Sequence, residues 1–169
     1  MKSTNLRRFT QFLLITAVLS FPASLAATSS PQSPPNIEVS GSLSVEQAQP
    51  GRPARAVVVM DIPSGFHVNS NRPLEKFLIA TQLQVEAPKG VRVGPVVYPR
   101  ALLRSLKFSK SKVSVFEGRT AMRFNVTVPA NFGADSTEVK ASLRYQSCSD
   151  EVCFPPQTRE VTIPIRIKG

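Results

Sequence analysis

The chain has 169 residues, with 21 Lys and Arg against 11 Asp and Glu, 15 Pro, 2 Cys, a single His and no Trp. That length is room for one domain, and one histidine with two cysteines is too few ligands for a zinc site. The basic excess is scattered without long runs or interleaved aromatics, so it reads as solvated surface and no nucleic-acid binding is expected.

The chain opens with a basic start (Lys2, Arg7, Arg8), an apolar run from Phe12 to Phe21, and the small-residue pattern Ser24-Leu25-Ala26 before Ala27. This is the pattern of a secretory signal peptide over residues 1–26, cleaved near Ala26. The apolar run falls well short of the roughly 20 residues a membrane helix needs, and no later stretch approaches that length. No membrane span is expected after cleavage, and no cysteine follows the cleavage point to carry a lipid. Residues 27–36 are rich in Ser, Pro and Thr without apolar periodicity, as expected for a disordered leader.

The domain is expected over residues 37–169. Ile37 to Val45 alternates, Pro50-Gly51-Arg52-Pro53 turns the chain, and Ala54 to Ile62 is a β-branched run. Pro63-Ser64-Gly65 leads into Phe66-His67-Val68, and further strands are predicted over Phe77 to Val85 and Val91 to Tyr98, separated by Ala87-Pro88-Lys89-Gly90. In Ala121 to Val128 the apolar set Met122, Phe124, Val126 and Val128 alternates with Arg123, Asn125 and Thr127. Thr137 to Tyr145 repeats this with Val139, Ala141, Leu143 and Tyr145 inward, as does Val161 to Ile167, where the outward Pro164 marks an edge or bulged strand. No segment holds a helical period. About eight short strands separated by turn signals predict an all-β fold, an immunoglobulin-like antiparallel β-sandwich.

The chemical inventory is small. His67 is the only histidine, and with no second one or paired carboxylates a hydrolase centred on it is not expected. Its ordinary reading is a strand-start residue donating to a backbone carbonyl. Asn125-Val126-Thr127 matches a glycosylation acceptor but lies mid-strand and is set aside. The informative segment is Tyr145-Gln146-Ser147-Cys148-Ser149-Asp150-Glu151-Val152-Cys153-Phe154-Pro155-Pro156. In an exported protein its two cysteines should pair. Closing so short a loop contributes only about 2 kcal/mol by chain entropy, against about 4.7 for a loop of a hundred residues. As a staple the bond is weak, which favours a reagent, although small structural hairpin disulfides exist. Asp150 and Glu151 disfavour a thiolate, so the pair suits an electron-accepting disulfide attacked by a partner's thiolate. Pro155-Pro156 denies two N–H donors, which either stiffens the arm beside an open sheet edge or simply blocks edge aggregation.

At these residues the chain resembles a known family. Tyr145-Gln146-Ser147-Cys148 and Cys153-Phe154-Pro155-Pro156, preceded in order by Gly65-Phe66-His67-Val68, Val97-Tyr98-Pro99 and Val115-Phe116-Glu117-Gly118, are similar to the N-terminal periplasmic domain of the thiol:disulfide interchange protein DsbD. The match covers roughly Val39 to Ile167. The resemblance implies a periplasmic immunoglobulin-like domain, without metal or cofactor, whose cysteine pair shuttles electrons. In the family it is reduced by a thioredoxin-like domain of the same protein and reduces periplasmic thioredoxin-like partners. Cys153 matches the cysteine that takes the mixed disulfide, and Cys148 the resolving one. A cap loop carrying an aromatic residue falls near Arg104 to Lys112, with Phe108 as the shield, and Tyr145 and Phe154 are the packing that positions the hairpin.

Two departures stand out. The best-known members carry acidic residues in the cap loop, whereas Arg104-Ser105-Leu106-Lys107-Phe108-Ser109-Lys110 is basic, which would lower a thiol pKa and partly offset Asp150 and Glu151. The chain also stops at Gly169, so the electron donor is expected to be a separate protein. The leading reading is a monomeric thiol-disulfide exchange module of the protein-disulfide reductase type. The alternative is a non-redox β-sandwich binding module with a structural disulfide.

Overall fold

The computed structural model describes residues 33–169; the expected signal peptide and most of the expected leader lie outside the described residues. Every regular element there is a strand: β1 (Glu38–Leu43), β2 (Pro53–Asp61), β3 (His67–Asn69), β4 (Gln82–Glu86), β5 (Arg92–Val93), β6 (Leu102–Arg104), β7 (Val113–Phe116), β8 (Arg119–Thr127), β9 (Ser136–Tyr145), β10 (Ser147–Cys148) and β11 (Gln157–Arg166). They form three antiparallel sheets, ordered β1-β2-β8-β5, β11-β9-β4 and β10-β3-β7-β6, in an immunoglobulin-like arrangement. No helix among the described residues is long and apolar enough to cross a membrane.

The first two sheets carry the main core. Ala56, Val58 and Met60 of β2 and Met122, Phe124 and Val126 of β8 bury the same face as Val139, Ala141, Leu143 and Tyr145 of β9 and Ile163 and Ile165 of β11. These are the alternate positions of half-buried strands, and each large aliphatic contributes about 1.5–3 kcal/mol by leaving water. The pairing registers bring the apolar sets side by side, as in Val58 opposite Met122 and Leu83 opposite Leu143. The sandwich closes where β1 runs over β11. A Cβ at Gly41 would lie 2.7 Å from Ile163 Cγ1, so only glycine permits that approach. Pro164 lies exposed on the edge strand β11, the position its missing N–H requires.

Two expectations need correction. The strand predicted over Phe77 to Val85 begins only at Gln82. Residues 70–81 form a loop in which the Leu78 N–H donates to the Glu75 carbonyl and the Thr81 N–H to the Ser70 carbonyl, and Phe77 is 63% exposed. The strand predicted over Val91 to Tyr98 is cut to Arg92–Val93, because Pro95 lacks a donor; the chain rejoins β8 at the Val97–Arg123 bridge. The short strands β6, β7 and β10 raise the count to eleven, above the expected eight.

The third sheet positions the site. Its inner strands are buried on both faces: Val68 and Phe116 face the main core, while Val113 and Val115 join Leu78 and Leu106 in a second, smaller cluster.

Candidate functional site: the disulfide and its covering loops

The site is built where the chain leaves β9. Tyr145 ends that strand fully buried, its hydroxyl donating to Gln157 Oε1 at 3.1 Å, and burial raises its pKa above the usual phenol value. Two residues on, Ser147 and Cys148 pair with Val68 and His67 in a different sheet. Gln146 occupies the crossover. Its carbonyl accepts the Asn69 N–H at 3.1 Å. Its side-chain Oε1 accepts from Asn69 Nδ2 and from the Ile79 N–H, each at 2.9 Å, and its Nε2 donates to the Phe154 carbonyl at 3.1 Å. One side chain thus joins β3, the 70–81 loop and the residue after Cys153. Sequence reasoning gave Gln146 no role beyond its place in the motif, which was the only signal available.

Cys148 and Cys153 form a disulfide across an antiparallel bridge. The hairpin is closed by Ser149 N–H to the Val152 carbonyl at 2.8 Å and Phe154 N–H to the Ser147 carbonyl at 2.9 Å. The two sulfurs are unequally placed. Cys148 is 0% exposed, whereas Cys153 is only half-buried and packs with Phe108 against the small cluster. Phe154 is buried with its ring 6.2 Å from that of Phe66, and Pro155 and Pro156 follow in the open.

Two loops cover this face. The first, between β6 and β7, contributes buried Leu106 and half-buried Phe108, whose ring stacks on His67 with centroids 6.3 Å apart. Lys107 fastens this loop to the residues between the cysteines: its N–H donates to the Asp150 carbonyl at 2.9 Å and its Nζ to Glu151 Oε1 at 2.8 Å. That ion pair holds the Glu151 carboxyl below its usual range and raises the Lys107 ammonium. Arg104 is held in turn by Glu117, Nε to Oε1 and Nη2 to Oε2, both at 2.8 Å. The basic cap residues are therefore spent partly on carboxylates. The second loop, residues 70–81, contributes Leu78.

His67 lies beneath Phe108, 3% exposed, opposite Cys148 in the β3–β10 pair. In place of the expected bond to a backbone carbonyl, its Nε2 is buried without a partner. Burial lowers its pKa below the usual 6.5; Asp150 and Glu117 oppose that shift and Arg104 adds to it. Asn69 Oδ1 and Ser147 Oγ are also buried and unpartnered, so all three such side-chain atoms among the described residues lie on β3 and β10. Native interiors satisfy nearly all buried polar groups, and a concentration of exceptions around one disulfide sets this region apart from the rest of the fold. A cleft of about 530 Å³ runs alongside, lined in part by Phe66, His67, Glu117 and Asp150. Among the described residues no group of three or more His, Cys, Asp or Glu is placed to hold a metal ion.

Comparison with known proteins agrees with this architecture. Residues 40–165 match the family described as thiol:disulfide interchange protein DsbD, N-terminal. The chain is 28% identical over 87 residues to the thiol:disulfide interchange protein DsbD of Actinobacillus pleuropneumoniae serotype 5b (strain L20), a match that spans 52% of this chain and 14% of that protein. Among solved structures it is similar to the reduced DsbD N-terminal domain of Neisseria meningitidis, with TM-score 0.44 and 17% identity over 66% of this chain and 77% of that one. It is also similar to the N-terminal periplasmic domain of ScsB from Proteus mirabilis, with TM-score 0.49 and 9% identity over 78% of this chain and 45% of that one. With the family's pattern matched across nearly the whole described domain, the chain belongs to the DsbD N-terminal domain family.

Proposed function

We propose that this domain is a periplasmic thiol-disulfide exchange module that passes electrons between thioredoxin-like partners through Cys148 and Cys153. A partner thiolate attacks Cys153 Sγ, the Cys148–Cys153 bond breaks, and Cys148 leaves as a thiolate. In the reverse direction the reduced Cys153 attacks the partner disulfide, and Cys148 resolves the mixed disulfide by attacking Cys153 Sγ as the partner thiolate leaves. The observation that carries this reading is the asymmetry of the pair: Cys148 is 0% exposed, whereas Cys153 is half-buried and packs, with Phe108 of the β6–β7 loop, against the small cluster. Attack on a disulfide depends on which sulfur is reached, and displacing the loop that carries Phe108 uncovers Cys153 first. Tyr145 and Phe154 anchor the two ends of the hairpin, Pro155 denies it a donor on the exposed side, and Asp150 and Glu151 hold the cap loop through Lys107.

The deciding experiment is the equilibrium reduction potential of the pair, by thiol alkylation and mass spectrometry across a redox buffer series. An exchange disulfide is expected above roughly −300 mV; a value well below that identifies a structural bond and favours a non-redox binding module. The assignment of roles has its own test. Cys148→Ala should accumulate mixed disulfides with thioredoxin-like proteins and Cys153→Ala should form none; equal trapping by both variants would reverse or remove the assignment.

A further inference from the structure

We infer that His67 is the proton-transfer residue of the exchange reaction, taking the proton from the Cys148 thiol when that cysteine resolves a mixed disulfide and returning it when Cys148 leaves. The inference rests on the exchange reading above and adds to it the group that handles the proton.

The geometry comes from the strand register. His67 and Cys148 are direct partners in the antiparallel β3–β10 pair. Side chains so paired project from the same face with Cβ atoms about 4.5–5.5 Å apart, within reach of a contact between an imidazole nitrogen and a thiol. The ring is 3% exposed and its Nε2 has no hydrogen-bond partner. A buried imidazole nitrogen left unpaired is costly, so its retention needs a reason. A thiol appears opposite this nitrogen whenever the disulfide is reduced, and it supplies the missing partner.

The surroundings suit a base. A neutral imidazole has one accepting nitrogen, and burial keeps His67 neutral near pH 7. The charged groups that face it are Asp150 between the cysteines, Glu117 after β7 and Arg104 on β6. Arg104 and Glu117 are paired with each other, and the cap loop meets the ring through uncharged Phe108. The cap loop itself, from Arg104 to Lys112, contains no carboxylate that could do this work. Cys148, fully buried, is also the thiol that most needs a local base, since burial in apolar surroundings raises a thiol pKa.

The step balances as follows. The proton of Cys148 Sγ passes to His67 Nε2, and the thiolate attacks Cys153 Sγ. The Cys148–Cys153 bond forms as the bond from Cys153 to the partner breaks. The partner sulfur leaves with the electron pair, and the imidazolium releases its proton to that thiolate or to solvent. The domain is oxidised from dithiol to disulfide, and the partner is reduced by two electrons.

The test uses the reduced protein with equimolar 5,5′-dithiobis(2-nitrobenzoate), which releases one coloured thiolate when Cys153 attacks and a second when Cys148 resolves the adduct. In the wild type the second phase should speed up with pH through an inflection below 6.5. His67→Gln should leave the first phase unchanged, slow the second about tenfold near neutrality, and move its inflection up to or above the value of about 8.5 of a free thiol. His67→Phe keeps a ring against Phe108 but cannot take a proton, and should behave like His67→Gln. If His67→Phe restores wild-type kinetics, or the wild-type second phase lacks the low inflection, His67 serves as packing and the inference fails while the exchange reading stands. If the wild type forms the adduct and never releases the second thiolate, the exchange reading itself fails.

Discussion

The described residues hold two apolar clusters of different construction. The main core is drawn mostly from β2, β8, β9 and β11, whose backbones are paired along nearly their full length, so each buried side chain hangs from a ladder. The small cluster beneath Phe108 and Cys153 takes Val113 and Val115 from a strand, but Leu78 and Leu106 from loops. Leu78 is tethered through the Gln146 bond to Ile79, and Leu106 through the Lys107 contacts with Asp150 and Glu151. Loops held by few bonds open at lower free energy than paired strands. On the proposed exchange reading the fold keeps its stability in one cluster and the cover of the disulfide in the other, and the disulfide is expected to be uncovered without unfolding of the domain.

Equivalent truncations in the two clusters should have unequal effects. Leu143→Ala, fully buried in β9, should destabilise the domain by about 2–5 kcal/mol in urea unfolding. Leu106→Ala should lose clearly less, because its loop can settle into the space left, while reduction of the disulfide by dithiothreitol becomes faster. Equal losses of stability from the two changes would mean that the cap belongs to the global cooperative unit.

Gln146→Ala attacks the junction between the clusters. It leaves Asn69 Nδ2, the Ile79 N–H and the Phe154 carbonyl without their partner. The expected loss is about 1–3 kcal/mol, with the amide of Ile79 gaining hydrogen exchange far more than the amides of β9. Uniform acceleration across both regions would show that Gln146 supports the whole sandwich rather than the cover of the disulfide.

How much of this was legible in the sequence follows from the same division. β8, β9 and β11 have one face in the core and one in water, so Met122 to Val128, Val139 to Tyr145 and Ile163 to Ile167 alternate and could be read directly. β3 and β7 are buried on both faces, β6 is exposed throughout, and β10 is two residues long, so none of them carries a period. Phe77 and Ile79 resemble a strand in composition, yet the Gln146 side chain and local turns satisfy that backbone. At the site, the cysteine pair could be named from residue type and spacing, whereas Phe108 came only from the family resemblance, by its place before Val115. The Lys107–Glu151 tie, the three bonds of Gln146 and the pairing of His67 with Cys148 join residues distant in the chain, and no local signal carries them.

A smaller effect comes from pH. His67 has a folded pKa below 6.5, first because of burial, so between that value and 6.5 the unfolded chain binds more protons than the folded one. The stability this neutral ring allows is fully present above about pH 6.5 and is lost as pH falls toward the folded pKa. Urea midpoints measured between about pH 5 and 7, above the carboxylate range, should therefore fall on acidification in the wild type, and the slope should flatten in His67→Gln. An equal slope in both proteins would place the titrating group elsewhere.

One substitution separates the cover from the fold with almost no change in stability. Lys107 and Glu151 are both well exposed, and an exposed ion pair adds little to global stability. Lys107→Ala should leave the urea midpoint unchanged. It also removes the side-chain tie between the cap loop and the residues that separate the cysteines, so reduction of the disulfide by dithiothreitol should be faster than in the wild type at low salt. Near 1 M salt, where charges interact over only about 3 Å, the difference should disappear. A rate that does not change with the substitution would mean that packing of Phe108 and Leu106 and the backbone bond to Asp150 hold the cap, and a rate difference that survives high salt would assign the tie to the aliphatic stem of Lys107 rather than to its charge.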